Sequence, residues 1–222
     1  MGFIINIEGT DGCGKHTQSE KLVEALKNMG KEVITQSFPN YDSPSSGAVK
    51  MYLGGEFGDT ASCLDAYQAS ALFAIDRLCT MKKLDMKNKI VVLARYTNSN
   101  LTFQNTKILD KKERDKFEEW LLEFEFGTLK LPVPDVVIFL DMPVEKSIEL
   151  AHARKELKTG GKKDIHEADD KYLEHCYKVG IETAKKYGWT IVSCVDENGN
   201  IKTIEDIHKN ILEIVLEKLN KK

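Results

Sequence analysis

The sequence predicts an α/β fold in which helices cover both faces of a five-stranded parallel sheet. Short apolar runs alternate with amphipathic helical patterns along the chain. Two of these runs, Ile90–Ala94 and Val136–Asp141, are almost continuously apolar, which is typical of parallel strands buried on both faces. The first run leads directly into a glycine-rich turn and then into a helical pattern. Together these observations indicate three layers, with helices on each side of the sheet.

The individual elements follow from the spacing of apolar residues. The strands are short apolar runs, predicted at Phe3–Glu8, Glu32–Ser37, Ile90–Ala94, Val136–Asp141 and Thr190–Val195. The helices have an apolar stripe, as Leu22, Val23, Leu26 and Met29 show in the first one. They are predicted at about Thr17–Met29, Ser46–Leu53, Leu64–Met86, Lys111–Phe126, Val144–Glu156, Asp169–Tyr187 and Ile204–Leu219.

Composition narrows the class of protein. The 222 residues are 41% hydrophobic and 30% charged, which fits one globular domain over residues 1–222. A net charge of −3 provides no strong attraction to nucleic acid or a membrane surface, and no apolar run is long enough to span a membrane. No signal-peptide pattern stands at the start, so we expect a cytoplasmic protein. The five cysteines lack metal-ligand spacing and are interpreted as reduced thiols.

The most informative segment joins the first strand to the first helix and reads Gly9-Thr10-Asp11-Gly12-Cys13-Gly14-Lys15-His16-Thr17. Strand, glycine-rich loop and helix in this order are typical of a P-loop, in which backbone N–H groups and the lysine surround phosphate oxygens. The segment therefore predicts a P-loop NTPase fold that binds ATP through these nine residues. The alternative is a glycine-rich turn that carries a lysine by chance.

One position of the P-loop departs from its usual pattern. The residue after the lysine is normally a hydroxyl that contacts Mg²⁺, but here it is His16, with Thr17 one place later. Neutral imidazole is a poor ligand for Mg²⁺, which prefers oxygen. Either Mg²⁺ is held through water or Thr17, or its binding is weakened.

Arginine is scarce, with four arginines among 32 basic residues. Arginine binds phosphate and carboxylate groups through two hydrogen bonds at once, which lysine does not reproduce. Arg114 lies in a run of charged residues and is interpreted as a surface salt-bridge residue. Arg77, Arg95 and Arg154 are candidates for ligand binding.

A basic segment with two glycines begins at Arg154, between two predicted helices. One interpretation of residues 154–166 is a lid that closes over the phosphates of a bound nucleotide. The other interpretation is a solvated charged loop.

Four further motifs follow the P-loop in order: Ser37-Phe38-Pro39, Leu72-Phe73-Ala74-Ile75-Asp76-Arg77, Ala94-Arg95-Tyr96-Thr97-Asn98-Ser99-Asn100 and Pro134-Asp135. With the P-loop, this series resembles the thymidylate kinase family of nucleoside monophosphate kinases over nearly the whole chain. The resemblance implies transfer of the γ-phosphoryl group of ATP to dTMP, with Mg²⁺ as cofactor and dTDP as product. It also implies a homodimer, and a face of the helix Leu64–Met86 is either its interface or part of the core.

The resemblance implies a role for each matching residue. Lys15 would hold the donor phosphates, Arg95 would bind the acceptor phosphate, and Arg154 would reach the transferring phosphoryl group from the lid. The acceptor nucleotide would contact Asp11, Phe38, Pro39, Phe73, Arg77, Arg95, Ser99 and Asn100, with its base stacked on Phe73. Candidate Mg²⁺ ligands are Asp11, Thr17 and Glu167. Taken singly, Phe73 also fits a core residue, Asn100 a helix cap and Arg77 a surface salt bridge.

The chain departs from the family pattern at Ala94, where an aspartate is usual. That carboxylate normally helps to hold Mg²⁺, and loss of a preorganised electrostatic group can lower the rate by about 10²–10³-fold. Three interpretations remain open: a slow kinase, a kinase whose metal is held by Asp11, Asp141 or Glu167, and a nucleotide-binding relative without catalytic activity. A kinase for another nucleotide is a further alternative.

Overall fold

The computed structural model describes residues 2–157, 165 and 169–221, without the side chains of residues 151, 152 and 154–157. Its centre is a five-stranded sheet in the order β2-β3-β1-β4-β5, in which every paired strand is parallel to its neighbour. The strands are β1 (Phe3–Glu8), β2 (Val33–Ser37), β3 (Ile90–Ala94), β4 (Val136–Asp141) and β5 (Thr190–Ser193). The predicted α/β class and the five predicted strands are confirmed.

Helices connect successive strands and cover both faces of the sheet. They are α1 (Lys15–Asn28), α2 (Gly47–Leu53), α3 (Ala66–Met81), α4 (Thr97–Phe103), α5 (Lys111–Leu122), α6 (Val144–Leu157), α7 (Asp170–Lys186) and α8 (Ile204–Asn220). None of the helices in the described part of the chain is both long and apolar enough to cross a membrane.

The two faces of β1 point into different parts of the core. Ile5 and Ile7 pack with Leu22 of α1 and Ile211 of α8 on one face. Ile4 packs on the other face, in a separate cluster. Asn6 and Glu8 alternate with Ile5 and Ile7, so these polar side chains share the face of Ile4. Glu8 is therefore a buried side chain at the carboxyl end of β1, and its carboxylate needs hydrogen-bond partners there. The candidate functional site lies at this end of the strand.

Two helical predictions were wrong in detail. The predicted helix Leu64–Met86 is shorter at both ends, since α3 covers Ala66–Met81. It begins at Ala66 because Asp65 and Gln68 form a capping box there. The seven residues Thr97–Phe103 form a helix that was not predicted, because they are mostly polar yet buried and show no apolar stripe. The helical segment after α5 continues as a wider π-helical turn over Glu123–Thr128.

The close packing of α7 against the sheet makes Gly180 a sensitive position. A Cβ atom there would lie 2.8 Å from Cζ of Phe139 and 3.1 Å from Cγ2 of Thr102. We expect Gly180→Ala to lower the free energy of unfolding by about 1–2 kcal/mol, because overpacking of about 1–3 kcal/mol exceeds the helix propensity that alanine adds. Urea denaturation measures this change.

The matched control is Gly47→Ala at the start of α2, where an added Cβ meets nothing within 4 Å. Its free energy of unfolding should stay within about 0.5 kcal/mol of the wild-type value. A Gly180→Ala variant as stable as the wild type would contradict the packing argument.

Candidate active site

The functional site is a cavity of about 840 Å³ at the carboxyl edge of the sheet. The register brings the strand ends together there, since Ser37 and Ile7 both pair with Ala94. The lining includes every P-loop residue from Asp11 to Thr17, and also Ser37, Phe38, Pro39, Phe73, Arg77, Ala94, Arg95, Ser99 and Asn100. Segments that are far apart in the sequence therefore meet in one cavity.

The P-loop curls around the ammonium group of Lys15. Gly14 caps α1 in a left-handed conformation (φ 90°), which favours glycine. Lys15 Nζ donates hydrogen bonds to the carbonyl oxygens of Gly9 and Thr10 and is almost fully buried. Burial, followed by the nearby Arg95 guanidinium, lowers the pKa of Lys15. The loop therefore holds a desolvated positive charge at the start of a helix, which is where anions bind.

Ser147 of α6 ties the P-loop to the rest of the fold. Its Oγ lies 3.2 Å from Oγ1 of Thr10 and donates a hydrogen bond to the carbonyl oxygen of Asp11. Ser147 is buried, and its contact with Thr10 is shielded from water. The loop that carries Asp11 is thus fixed from two directions, by α1 and by α6.

Arg95 and Asp11 form an ion pair across the cavity. The guanidinium of Arg95 also lies over the ring of Phe103, 4.8 Å from its centroid. Arg95 has a left-handed backbone (φ 65°), and its N–H donates to the carbonyl of Ile7. A non-glycine residue in this conformation is strained by about 1–3 kcal/mol, and such strain is concentrated at functional sites.

Glu8 is the hub of one buried hydrogen-bond network. Its carboxylate accepts from Ser99 Oγ (2.6 Å), Asn6 Nδ2 (3.0 Å) and the Tyr96 N–H (2.8 Å). Burial raises the pKa of Glu8, and these hydrogen bonds oppose that effect. The network connects the end of β1 to the start of α4, which orients Ser99 and its neighbours.

Glu125 is the hub of a second buried network. It accepts two hydrogen bonds from Arg77, at 2.7 and 2.5 Å, and further ones from Thr97 Oγ1 (2.7 Å) and Asn100 Nδ2 (3.1 Å). Arg77 and Glu125 are 2% and 0% exposed. Arg77 is therefore not a surface salt-bridge residue, and Asn100 is not a cap. Arg77 and Asn100, both predicted to contact the acceptor nucleotide, each donate to Glu125.

Asp76, the residue before Arg77, stabilises one wall of the cavity. Asp76 accepts hydrogen bonds from the Asn40 N–H (2.8 Å) and Ser45 Oγ (2.7 Å), which fixes the loop after Phe38 and Pro39. Phe73 lines the cavity one turn earlier on α3, and its ring meets that of Tyr52 edge to face. Phe73 is half-buried and thus combines a core contact with a position at the cavity.

Several predicted residues lie outside the described part of the chain. These are the side chain of Arg154, the acidic residue at 167, and most of the lid segment 154–166. Among the described residues there is no group of three or more acidic, histidine or cysteine side chains placed to hold a metal ion. Asp141 accepts a hydrogen bond from Tyr177 (2.7 Å), and His16 lies 3.2 Å from Glu20 at the surface.

Comparison with known proteins identifies the family. A family model described as thymidylate kinase matches residues 7–211. The chain belongs to the thymidylate kinase family. Thymidylate kinase of Mycobacterium tuberculosis is 34% identical over 191 residues, covering 84% of this chain and 87% of that protein. A probable thymidylate kinase of Thermococcus onnurineus is 32% identical over 226 aligned positions, covering 99% and 100%.

A solved structure supports the fold. Thymidylate kinase from Candida albicans superposes with a TM-score of 0.70 at 21% identity, covering 100% of this chain and 94% of that one. The predicted P-loop NTPase fold of the thymidylate kinase family is therefore confirmed. Sequence analysis missed Glu125 and the role of Glu8. The one sequence signal for Glu125 was its position between two aromatic residues in Phe124-Glu125-Phe126.

The Arg77–Glu125 pair should be essential for stability. Removing one partner of a buried ion pair leaves an uncompensated buried charge, which costs about 3–5 kcal/mol. We expect Glu125→Gln to lower the free energy of unfolding by about 3 kcal/mol, measured by chemical denaturation.

The control is Glu119→Gln on the exposed side of α5, which should change stability by less than about 0.5 kcal/mol. If the two variants had equal free energies of unfolding, Glu125 would not be the carboxylate that neutralises the buried Arg77.

Proposed function

We propose that this member of the thymidylate kinase family transfers the γ-phosphoryl group of ATP to dTMP, giving dTDP for dTTP synthesis. One observation carries the proposal: the Lys15 cradle and the Arg95 guanidinium face the same cavity, which continues to Phe73. An anion site for the donor therefore adjoins an anion site and an aromatic surface for the acceptor. Phosphoryl transfer depends mainly on such positioning and charge neutralisation.

In the proposed mechanism, Lys15 and the N–H groups of the P-loop bind ATP, the phosphoryl donor. The carbonyl oxygens of Gly9 and Thr10 hold the ammonium group in place, so no long side chain must be ordered when ATP binds. Residues Gly9 to Thr17 would surround the β- and γ-phosphates. A positive charge that is already desolvated stabilises the developing negative charge more strongly than one in water.

Arg95, Phe73 and their neighbours bind dTMP, the phosphoryl acceptor, in the proposed mechanism. Arg95 would bind the dTMP phosphate, with Asp11 and Phe103 fixing the direction of its guanidinium group. Phe73 would stack on the thymine base, a contact worth about 1–3 kcal/mol in nucleic-acid sites. The remaining proposed acceptor contacts are Asp11, Phe38, Pro39, Arg77, Ser99 and Asn100.

Mg²⁺ is the implied cofactor, and the residues present fit it. Mg²⁺ takes one or two protein oxygens and completes its shell with water and phosphate oxygens. Asp11 and Thr17 bring a carboxylate and a hydroxyl to the same cavity. We assign these two as the protein ligands, with Glu167 as a further candidate. When bound, the ion neutralises phosphate charge.

The proposal also includes a lid formed by residues 154–166 and a homodimer. Arg154 would supply the cation of a lid over the transferring phosphoryl group. Ile75 of α3 is 46% exposed, whereas Leu72, Leu78 and Leu84 pack against core clusters. We propose a cytoplasmic protein that forms a homodimer, as the family resemblance implies, with the exposed side of α3 as its interface.

The direct test is ADP release from ATP with dTMP, dUMP, dCMP or dGMP as acceptor. The proposed function requires turnover with dTMP at a higher kcat/KM than with the other three. Tight binding of ATP and dTMP without turnover would instead identify a nucleotide-binding relative, which the missing carboxylate at Ala94 favours as the second candidate.

Arg95→Ala should weaken dTMP binding by about 100-fold, because a charge-assisted contact of roughly 3 kcal/mol is lost. Calorimetry with dTMP and, separately, with ATP measures the two affinities. ATP affinity should change less than dTMP affinity.

The matched control for Arg95→Ala is Arg114→Ala, because Arg114 is a half-buried arginine outside the cavity lining whose guanidinium lies 3.6 Å from the carboxylate of Glu182. Its dTMP affinity should equal that of the wild type. Retained affinity in Arg95→Ala would remove Arg95 from the acceptor site.

Ala94→Asp should raise kcat at least about tenfold, since it returns a preorganised carboxylate to the Mg²⁺ end of the cavity. Steady-state kinetics at saturating ATP and a series of Mg²⁺ concentrations measures kcat and the Mg²⁺ requirement. An unchanged kcat and an unchanged Mg²⁺ requirement would show that position 94 does not serve the metal in this chain.

A further inference from the structure

Lys107 joins three segments of the fold, although no sequence pattern pointed to it. It ends a short 3-10 turn, Asn105–Lys107, that directly follows α4. Its Nζ donates hydrogen bonds to the hydroxyl oxygen of Tyr52 on α2 and to the carbonyl oxygen of Leu64 just before α3, both at 2.9 Å. The ammonium group also lies 5.1 Å from the centroid of the Tyr52 ring. One cation therefore connects α2, the start of α3 and the turn after α4.

The surroundings of Lys107 are unfavourable for a positive charge. Burial lowers the pKa of Lys107 to about 8, and Cys63, Asp65 and Cys176 oppose that effect. A methionine would fill a similar space without losing the hydration of an ammonium group. The benefit of the cation therefore lies in the groups that it holds.

Tyr52 is the side chain that Lys107 holds most closely. It is 0% exposed, and its hydroxyl group donates to the carbonyl oxygen of Ala61 (2.8 Å) while it accepts from Lys107. The hydroxyl group is thus fixed by one donor and one acceptor, and the ammonium group near the ring restrains the ring as well. Tyr52 therefore has one defined orientation in the wall formed by α2.

The ring of Tyr52 connects this cation to the cavity through Phe73. The centroids of the two rings lie 6.2 Å apart and their planes meet at 85°, an edge-to-face geometry that aromatic pairs prefer. Phe73 is half-buried and lines the cavity, whereas neither Lys107 nor Tyr52 is among the described residues of the lining. Lys107 can therefore influence a ligand in the cavity through Phe73 without contacting it.

We propose that Lys107 is a positioning residue for the acceptor: its ammonium group fixes Tyr52, and the ring of Tyr52 holds Phe73 in the orientation on which the acceptor base stacks. The inference rests on the proposed function, because it takes Phe73 to be the aromatic surface for that base. Restraint of the ring before binding lowers the entropy that the ligand must otherwise remove.

The first test compares the wild type with Lys107→Met and Tyr52→Phe, which remove the cation and the hydroxyl group that it contacts. Calorimetry with dTMP should show about tenfold weaker binding in both variants, the lower end of what a stacking contact contributes. The affinity for ATP should stay at the wild-type value, because the P-loop is unchanged. Lys50→Met, at an exposed lysine of α2, is the matched control and should bind dTMP as the wild type does.

A double-mutant cycle shows whether Lys107 acts through Phe73. In a Phe73→Ala background, the further change Lys107→Met should weaken dTMP binding by less than about twofold, because the ring that Lys107 positions is absent. A full tenfold loss in that background would overturn the inference, since Lys107 would then act on the acceptor independently of Phe73.

A pH profile separates the charge of Lys107 from the packing of its side chain. Because its pKa is lowered to about 8, Lys107 loses its charge as the pH rises through that value, and the Kd of the wild type for dTMP should rise severalfold there. The groups that face Lys107 are Tyr52 of α2, Cys63 and Asp65 before α3, and Cys176 of α7. Lys107→Met retains all four, so the rise should be absent from its profile. A flat wild-type profile, or a rise that persists in Lys107→Met, would overturn the inference.

Thermal unfolding of each variant establishes that it is folded at the temperature of the binding experiment. Wild-type dTMP affinity in both Lys107→Met and Tyr52→Phe would overturn the inference, while dTMP turnover by the wild type leaves the proposed function intact. Failure of the wild type itself to bind dTMP would overturn both.

Discussion

The functional half of this structure depends on buried carboxylates that are neutralised by the residues they hold in place. Glu8 and Glu125 are both 0% exposed, and between them they accept hydrogen bonds from residues of β1, α3 and α4. A buried charge is tolerated only when partners surround it. The two carboxylates therefore fix where α4 begins and how α3 approaches it.

This arrangement preorganises the side of the cavity to which the proposed mechanism assigns the acceptor. Arg77, Ser99 and Asn100 are not loose side chains that must be ordered by a ligand, because each already donates to one of the two carboxylates. Preorganised groups cost little entropy at the moment of binding. The Lys15 ammonium on the donor side is held in the same manner by carbonyl oxygens of its own loop.

The ion pair of Asp11 with Arg95 has a different character, because it lies at the cavity and not in the core. At β3, the residue before Arg95 is Ala94 and brings no second carboxylate. In the proposed mechanism, Asp11 both orients Arg95 and binds Mg²⁺. An arginine at a cavity can exchange one anionic partner for another, whereas an arginine whose carboxylate partner is buried in the core cannot.

The sequence by itself determined the order of the elements, the parallel sheet, the P-loop and the family, because each is encoded by contiguous residues with a fixed period or spacing. Helix α4 was not predicted from the sequence, because its seven residues are mostly polar although buried and therefore show no apolar stripe. Glu125 was not predicted because its role depends on which residues meet it across the fold. Only the tertiary structure decided that Arg77 is a buried ion-pair residue and that Glu8 organises Ser99, because hydrogen bonds between residues dozens of positions apart leave no local pattern in a chain.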